Sequence, residues 1–497
     1  MSNDKDQSGG ESLGQSVASG AAWLTSGNIF SRLLGFISII VLARFLVPED
    51  FGLIAMAVSI YALLDALSGL GFQGYLIQHK EAGREHYDTV WTLTILRGFL
   101  IAGVLVLLAG PAASFWGDGR IEGLVYLYAL SSIIFGFINV GVVDLLKDLH
   151  FKRNFFYRSS ARFAGFGVGI TLAVVLQNYW AIALGTLATQ TVMLVASYIV
   201  HPYRPRLALG AWQEIWRFSG WVLLRSIILF FGRRSDRMLL GRMVGMEAAG
   251  IYDVGQEAAN MPSSEFVVVL SEAILAGFTR LADQPAKLAK AYARAIAMIL
   301  SLSLPAGIGI ALVAEPFVHV VLTDRFIEAV PLIQILAFYG ILVTGLGNMH
   351  AVYIAVGRPA RSTAYQAIDT AIRLPLLFVG ISMLGMVGAA WAMLASAIFG
   401  LIVGAVLIVR DFGVSLSGIL KQVWRVAFAT GIMALAVSYV LMQVGQEAYV
   451  VQLLAAVAMG IVVYVGALAS LWHLSNRPDG PEQFAIDWVS SRFKSSQ

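Results

Sequence analysis

The chain has 497 residues, 58% of them hydrophobic and only 13% charged, with a formal net charge of +4. Soluble domains hold about 45–50% apolar and about 25% charged residues, so this composition excludes an ordinary soluble enzyme and marks an all-α, polytopic membrane protein; no ten-residue segments alternate polar and apolar positions as a transmembrane barrel requires. There is no cysteine, which removes disulfides, thiolate metal sites and cysteine nucleophiles.

Residues 1–21, opening MSNDKDQSGGESLGQS, are polar and read as a flexible cytoplasmic tail. A cleavable signal peptide would need a basic start and a short apolar core. Apolar stretches of about 20 residues then predict fourteen helices, near 22–47, 51–78, 88–110, 121–146, 158–178, 180–200, 213–241, 248–275, 291–313, 328–356, 362–384, 386–409, 422–444 and 448–473. The organisation expected is an N-lobe (22–201), a basic cytoplasmic linker (202–217), a C-lobe (218–409), a further helix pair (410–474) and a cytoplasmic tail (475–497).

Alternate connections are basic. They carry Lys80 and Arg84; Lys147, Lys152, Arg153 and Arg158; Arg204, Arg206 and Arg217; Arg280, Lys287 and Lys290; Arg358 and Arg361; Arg410, Lys421 and Arg425. The intervening ones hold little beyond Arg120 and Arg325. Basic loops stay in the cytoplasm, so both termini are placed inside, and the net charge reflects membrane orientation rather than nucleic-acid binding. The outer loops at 48–52, 111–120 and 323–329 are short. They leave no external segment for a polymerase or ligase.

The first and seventh helices repeat one another. LARFLVPEDFGLIAMA from Leu42 aligns without a gap on LGRMVGMEAAGIYDVG from Leu240, pairing Arg44 with Arg242, Glu49 with Glu247 and Gly52 with Gly250 at an offset of 198. Two bundles related by a repeat are a common transporter plan, with the substrate site at their interface.

Charged residues inside apolar spans cost at least about 2.5–3.5 kcal/mol each and mark functional positions. The seventh helix carries Arg225, Arg233, Arg234, Asp236 and Arg237. At about 100° per residue, Asp236, Arg233 and Arg237 fall roughly 20°, 80° and 120° from Arg225, while Arg234 falls opposite. That is a cationic stripe suited to an anion; snorkelling of Arg234 and Arg237 to headgroups is the structural alternative. On the first helix Thr25, Asn28, Ser31, Arg32, Gly35 and Ser38 make a second polar stripe, expected to face the seventh helix. Helix–helix packing accounts for its serines but not for Arg32. Asp65 is a partner for Arg32 or a protonatable group, and Arg97 a structural ion-pair partner. Asp253 and Glu257 lie one turn apart, and Tyr365, Asp369 and Arg373 follow at i+4 steps, where Asp before Arg is a favourable pair. His350 is read as packing.

No GxxxxGK[ST], HExxH or GxSxG motif is present, so neither nucleotide hydrolysis by a phosphate loop nor those hydrolase chemistries are expected. No catalytic or metal residue is assigned.

The stretches VLARFLVPEDFGLIAMA (from Val41), LSGLGFQGYLIQHKE (from Leu67), SDRMLLGRMVGMEAAGIYDVGQEAANMP (from Ser235) and PLIQILAFYGILVTGLGNMHAVYIAVGR (from Pro331) resemble Wzx-type polysaccharide flippases. These form a branch of the multidrug/oligosaccharidyl-lipid/polysaccharide superfamily, and the colanic-acid and succinoglycan exporters look nearest. TDRF (Thr323 to Phe326) departs from the pattern, where relatives commonly have glycine, a basic residue and an aromatic. The arginine density of the seventh helix is also higher than usual. The resemblance implies two pseudo-symmetric bundles of the kind seen in multidrug exporters of the superfamily. It also implies flipping of an undecaprenyl-diphosphate-linked oligosaccharide across the bacterial inner membrane by alternating access. On that reading Arg32, Arg225, Arg233 and Arg237 hold the diphosphate, and Asn28, Ser31, Tyr61 and Tyr365 meet the sugars. Asp65, Asp236, Asp253, Glu257 and Asp369 are candidates for coupling to H+ or Na+. No other cofactor is expected; membrane lipids and polysaccharide polymerase or assembly proteins are the partners. A cation-coupled drug exporter is the rival, and its cavity should favour carboxylates over arginines.

Overall fold

A computed structural model describes residues 4–483 apart from 69–70, 80, 446–447, 479 and 481; side chains are described over that range except at 4–22, 24–25, 216–222, 224–225, 262–273 and 346–348. The described residues form helices and no strand. In chain order these are α1 (Asp4–Phe45), α2 (Pro48–Leu67), α3 (Phe72–Gln78), α4 (Arg84–Trp116), α5 (Arg120–Gly136), α6 (Asp144–Lys147), α7 (Phe151–Leu176) and α8 (Trp180–Val200). They continue with α9 (Trp212–Met243), α10 (Met246–Arg280), α11 (Pro285–Leu312), α12 (Ala314–Phe317), α13 (Ala329–Ala355), α14 (Pro359–Phe412), α15 (Leu416–Gln443) and α16 (Tyr449–Leu474).

Each of the fourteen predicted segments has a helical counterpart, with breaks that apolar content alone does not mark. The expected helix 51–78 is interrupted after Leu67, and α3 restarts from Gly71 at φ 63°, a left-handed backbone that no continuing helix adopts. The expected helix 121–146 stops at Gly136 and resumes after a 77° bend, where Asn139 accepts a hydrogen bond from the Gly141 amide and starts a new turn. The segments at 362–384 and 386–409 are the two arms of α14, separated by Leu384 and Gly385 in non-helical geometry. The arms fold back on one another, so close that a side chain on Gly388 would overlap the Gly380 carbonyl. Far from being a flexible tail, the N-terminal segment is helical from Asp4.

Among the described residues ten helices are long and apolar enough to cross a membrane, eleven if the bent α5–α6 pair is one span. With α14 counted as two arms, the chain is a multi-pass membrane protein.

The chain divides into two compact units, 1–250 and 251–497. The division is not at the expected linker 202–217. α9, expected in the C-lobe, packs on α2 and α4 in the first unit, and the linker is pinned down. Asp88 accepts hydrogen bonds from the Tyr203 hydroxyl at 2.7 Å and the Arg206 amide at 2.8 Å, and Asn139 Nδ2 donates to the Tyr203 carbonyl at 2.7 Å. Burial and the Asp88 carboxylate push the Tyr203 hydroxyl above its ordinary range, so it stays a donor. Elsewhere in this unit α1 packs on α7, α7 on α8 and α4 on α5. The second unit packs α11 against α13 and α15, α13 against α14, and α15 against α16. The start of the expected C-terminal tail is docked there. Glu482 receives Arg425 Nε at 2.9 Å, with both side chains about 5% exposed or less.

Candidate functional site

The first unit holds both predicted arginine helices. On α1, Asn28 and Arg32 are exposed, whereas Ser31, Gly35 and Ser38 turn toward α7 and α8. The expected single stripe facing the seventh helix is therefore divided: its small residues serve packing and an internal cavity, and its arginine lies elsewhere on the helix. On α9 the charges also separate. Arg233 is exposed, Arg234 and Arg237 are half-buried, and Asp236 is 2% exposed beside the buried Ser235. Arg234, placed opposite the stripe by helical angle, lies in electrostatic reach of Tyr128 of α5. Arg237 donates from Nη1 to the Arg233 carbonyl at 3.4 Å. The Arg225 side chain lies outside the described residues. Tyr61 stacks on Tyr128 with ring centroids 5.8 Å apart, which fixes it as a wall.

Asp65 pairs with Arg97, whose Nε also donates to Ser68 Oγ at 3.0 Å. The ion pair thus joins α2 to α4, and Arg97 rather than Arg32 is the partner of Asp65. In the second unit Asp369 pairs with Arg373 across one helical turn, and both engage Ser396 on the returning arm of α14, at 3.1 and 3.2 Å. Tyr365 is 5% exposed and donates to the Gly400 carbonyl at 2.9 Å, so it braces the same two arms and presents no face to a cavity. Asp253 is half-buried and Glu257 exposed, one turn apart on α10. His350 meets Ser362 Oγ at 2.6 Å.

Among the described residues two cavities bear on these assignments. One, of about 420 Å³, is in the second unit and almost wholly apolar, between α11, α15 and α16; Pro305, Ile310, Val437 and Ile461 line it, with Tyr464 donating to the Ser301 carbonyl at 2.6 Å. The other, of about 410 Å³, is in the first unit between α1, α5, α7 and α8. Ser31, Ser38, Arg162, Thr186, Thr189 and Gln190 contribute its polar groups. Arg162 was missed by the reading of intramembrane charges. The signal was there, an arginine at the twelfth position of the α7 helix and followed by FAGFGVGITLAVVL.

The sequence pattern of a family described as polysaccharide biosynthesis protein matches residues 41–331, more than half of the chain. The chain is 25% identical over 439 residues to the lipopolysaccharide biosynthesis protein WzxC of Escherichia coli K12, covering 86% of this chain and 88% of that protein. It is 22% identical over 472 residues to the succinoglycan biosynthesis transport protein ExoT of Rhizobium meliloti, covering 90% and 92%. In fold it is similar to the lipid II flippase MurJ in an inward closed conformation, with a TM-score of 0.75 at 14% identity over 91% of this chain and all of that one. An inward-facing multidrug resistance transporter, described as a MATE family member of the multidrug/oligosaccharidyl-lipid/polysaccharide superfamily, has a TM-score of 0.60 at 16% identity, over 76% and 95%. The fold is that of the multidrug/oligosaccharidyl-lipid/polysaccharide superfamily, and the chain belongs to the polysaccharide biosynthesis protein family.

Proposed function

We propose that this protein is a transporter that flips a diphosphate-linked oligosaccharide on a polyprenyl lipid, of the undecaprenyl type, across the bacterial inner membrane by alternating access. Both termini would be cytoplasmic. Membership of a polysaccharide-making family supports the glycan, and similarity to a named transport protein and to a lipid II flippase supports the movement. The observation that carries the anionic substrate is the exposure of Arg32 and Arg233 on two helices of the first unit. A guanidinium offers phosphate a planar pair of donors and keeps its charge at every physiological pH. The apolar cavity of the second unit suits a hydrocarbon chain, which gains about 0.8 kcal/mol per buried CH2 relative to water. Polymerase and assembly proteins are the partners that would consume the product.

Asp65 and Asp369 each hold an arginine. Coupling to H+ or Na+ would use an intramembrane carboxylate, and Asp253 and Glu257, one turn apart on α10, are candidates with Asp65, Asp236 and Asp369.

The test is translocation in sealed vesicles of the purified protein with a labelled diphosphate-linked oligosaccharide. Wild type should protect the sugar from an external glycosidase, and Arg32→Ala should reduce the rate by tenfold or more, the equivalent of about 1.4 kcal/mol, without loss of membrane insertion. Gradient-driven efflux of a cationic dye, with no movement of the lipid-linked sugar, would replace this reading with drug export.

A further inference from the structure

We infer that the cavity of the first unit, between α1, α5, α7 and α8, is a binding site for the phosphate headgroup of a membrane lipid, separate from the transport arginines Arg32 and Arg233. The inference stands whether or not the protein transports a glycan.

The charge argument comes first. Arg158 and Arg162 lie one turn apart on α7, and among the described residues neither meets a carboxylate; the charge that reaches Arg162 is the like charge of Arg158. Like charges at this spacing repel, and an arginine inside a span is costly unless an anion accompanies it. Lys152 and Arg153 stand at the start of the same helix, so positive charge runs from the helix end to the cavity.

Beside the arginine the lining offers one open polar side chain, Gln190. Thr186 and Thr189 satisfy their own hydroxyl protons on the Ile182 and Gly185 carbonyls, each at 3.0 Å, which leaves oxygen lone pairs but no free donor. Gln190 differs. Its Oε1 is buried without a hydrogen-bond partner, an unsatisfied group that costs about 1–3 kcal/mol and that a bound hydroxyl or water of a headgroup would satisfy while its amide donates to phosphate. Gly165 lets α8 come close enough to place these groups beside Arg162, since a side chain at 165 would overlap Thr189.

The occupant is a lipid rather than free phosphate because of what surrounds the polar groups. Leu34, Leu42, Phe135, Phe166 and Met193 line the same cavity. On either side α1 exposes Leu33 and Ile37, and α7 exposes Phe156 and Phe163 at 57% and 61%, surface fit for acyl chains. A headgroup in the cavity would leave its chains along these helices.

The experiment is native mass spectrometry of the full-length protein in detergent, titrated separately with phosphatidic acid, the matching diacylglycerol and inorganic phosphate. Wild type should hold phosphatidic acid and neither of the others, and Arg162→Gln should weaken binding by about tenfold or more, the scale of a lost charge-assisted hydrogen bond. Arg162→Lys should keep most of the affinity, Gln190→Leu should lose part of it, and Arg410→Gln, on the far end of α14, should lose none. Equal binding of diacylglycerol, binding of inorganic phosphate alone, or undiminished phosphatidic acid binding by a folded Arg162→Gln would each overturn the inference. Folding is judged by elution volume and melting temperature, and if Arg162→Gln misfolds the lysine and leucine variants decide.

Discussion

Thr323 sits at φ 123°, a backbone region that β-branched side chains avoid, and its hydroxyl is buried without a partner. Strain of this kind costs about 1–3 kcal/mol, while glycine gives back about 0.4–1 kcal/mol through the freer unfolded chain. Thr323→Gly should therefore raise stability by about 1 kcal/mol, read as a higher denaturation midpoint in detergent; an unchanged or lower midpoint would show that Thr323 is held without strain. The resemblance implies a glycine within TDRF without saying which residue it replaces, and the backbone angle that favours one at Thr323 is visible only in three dimensions. Ion pairs show the same limit. Asp369 and Arg373 could be matched from their i+4 spacing because a helix fixes which residues share a face. Asp65 had two arginines within reach of any sensible packing, and only the placement of α4 beside α2 selects Arg97. The cationic stripe of α9 was drawn from angle alone, so it grouped the buried Asp236 with the exposed Arg233.

At the scale of elements, the internal repeat acquires a physical meaning. A side chain on Gly52 would overlap the Met246 carbonyl, and one on Gly250 would overlap the Pro48 carbonyl. Pro48 and Met246 are themselves related by the same 198-residue offset, so the start of α2 and the start of α10 cross through equivalent residues, each glycine seated on its counterpart's backbone. Without a hydrophobic drive between helices in lipid, such close backbone approach is a main source of helix association. Gly52→Ala and Gly250→Ala should each destabilise by about 1–3 kcal/mol, the range for overpacking. Because both act on one crossing, the double variant should cost less than the sum. Additive losses in a chemical denaturation series would mean the two glycines act at independent contacts. The sequence aligned these glycines but assigned them no contact, because pairing at this range depends on how the chain folds back. Helix existence was legible from apolar length, whereas the breaks at Gly71, Gly136 and Gly385 were not all so. Of these only the last coincided with a dip between two apolar runs.

For the molecule as a whole, the positive-inside bias and the helix order make one statement about topology, and α9 is where it is most exposed to test. α9 carries Arg233, Arg234, Asp236 and Arg237, and each such charge at mid-membrane costs at least about 2.5–3.5 kcal/mol. The fourteen-pass reading nevertheless needs both α9 and α10 to cross. Fusions after Arg206 and Arg325 cannot decide this, because removing α9 and α10 together leaves those two points on opposite sides as before. A reporter fused after Gly245, between the two helices, does decide it. It should read outside, like fusions after Asp118 and Gly385, while fusions after Arg84, Arg206, Arg358 and Arg410 read inside. An inside reading at Gly245 would take α9 and α10 out of the membrane together and would place Arg233 in the cytoplasm, where it could meet a headgroup before translocation but could not accompany it across.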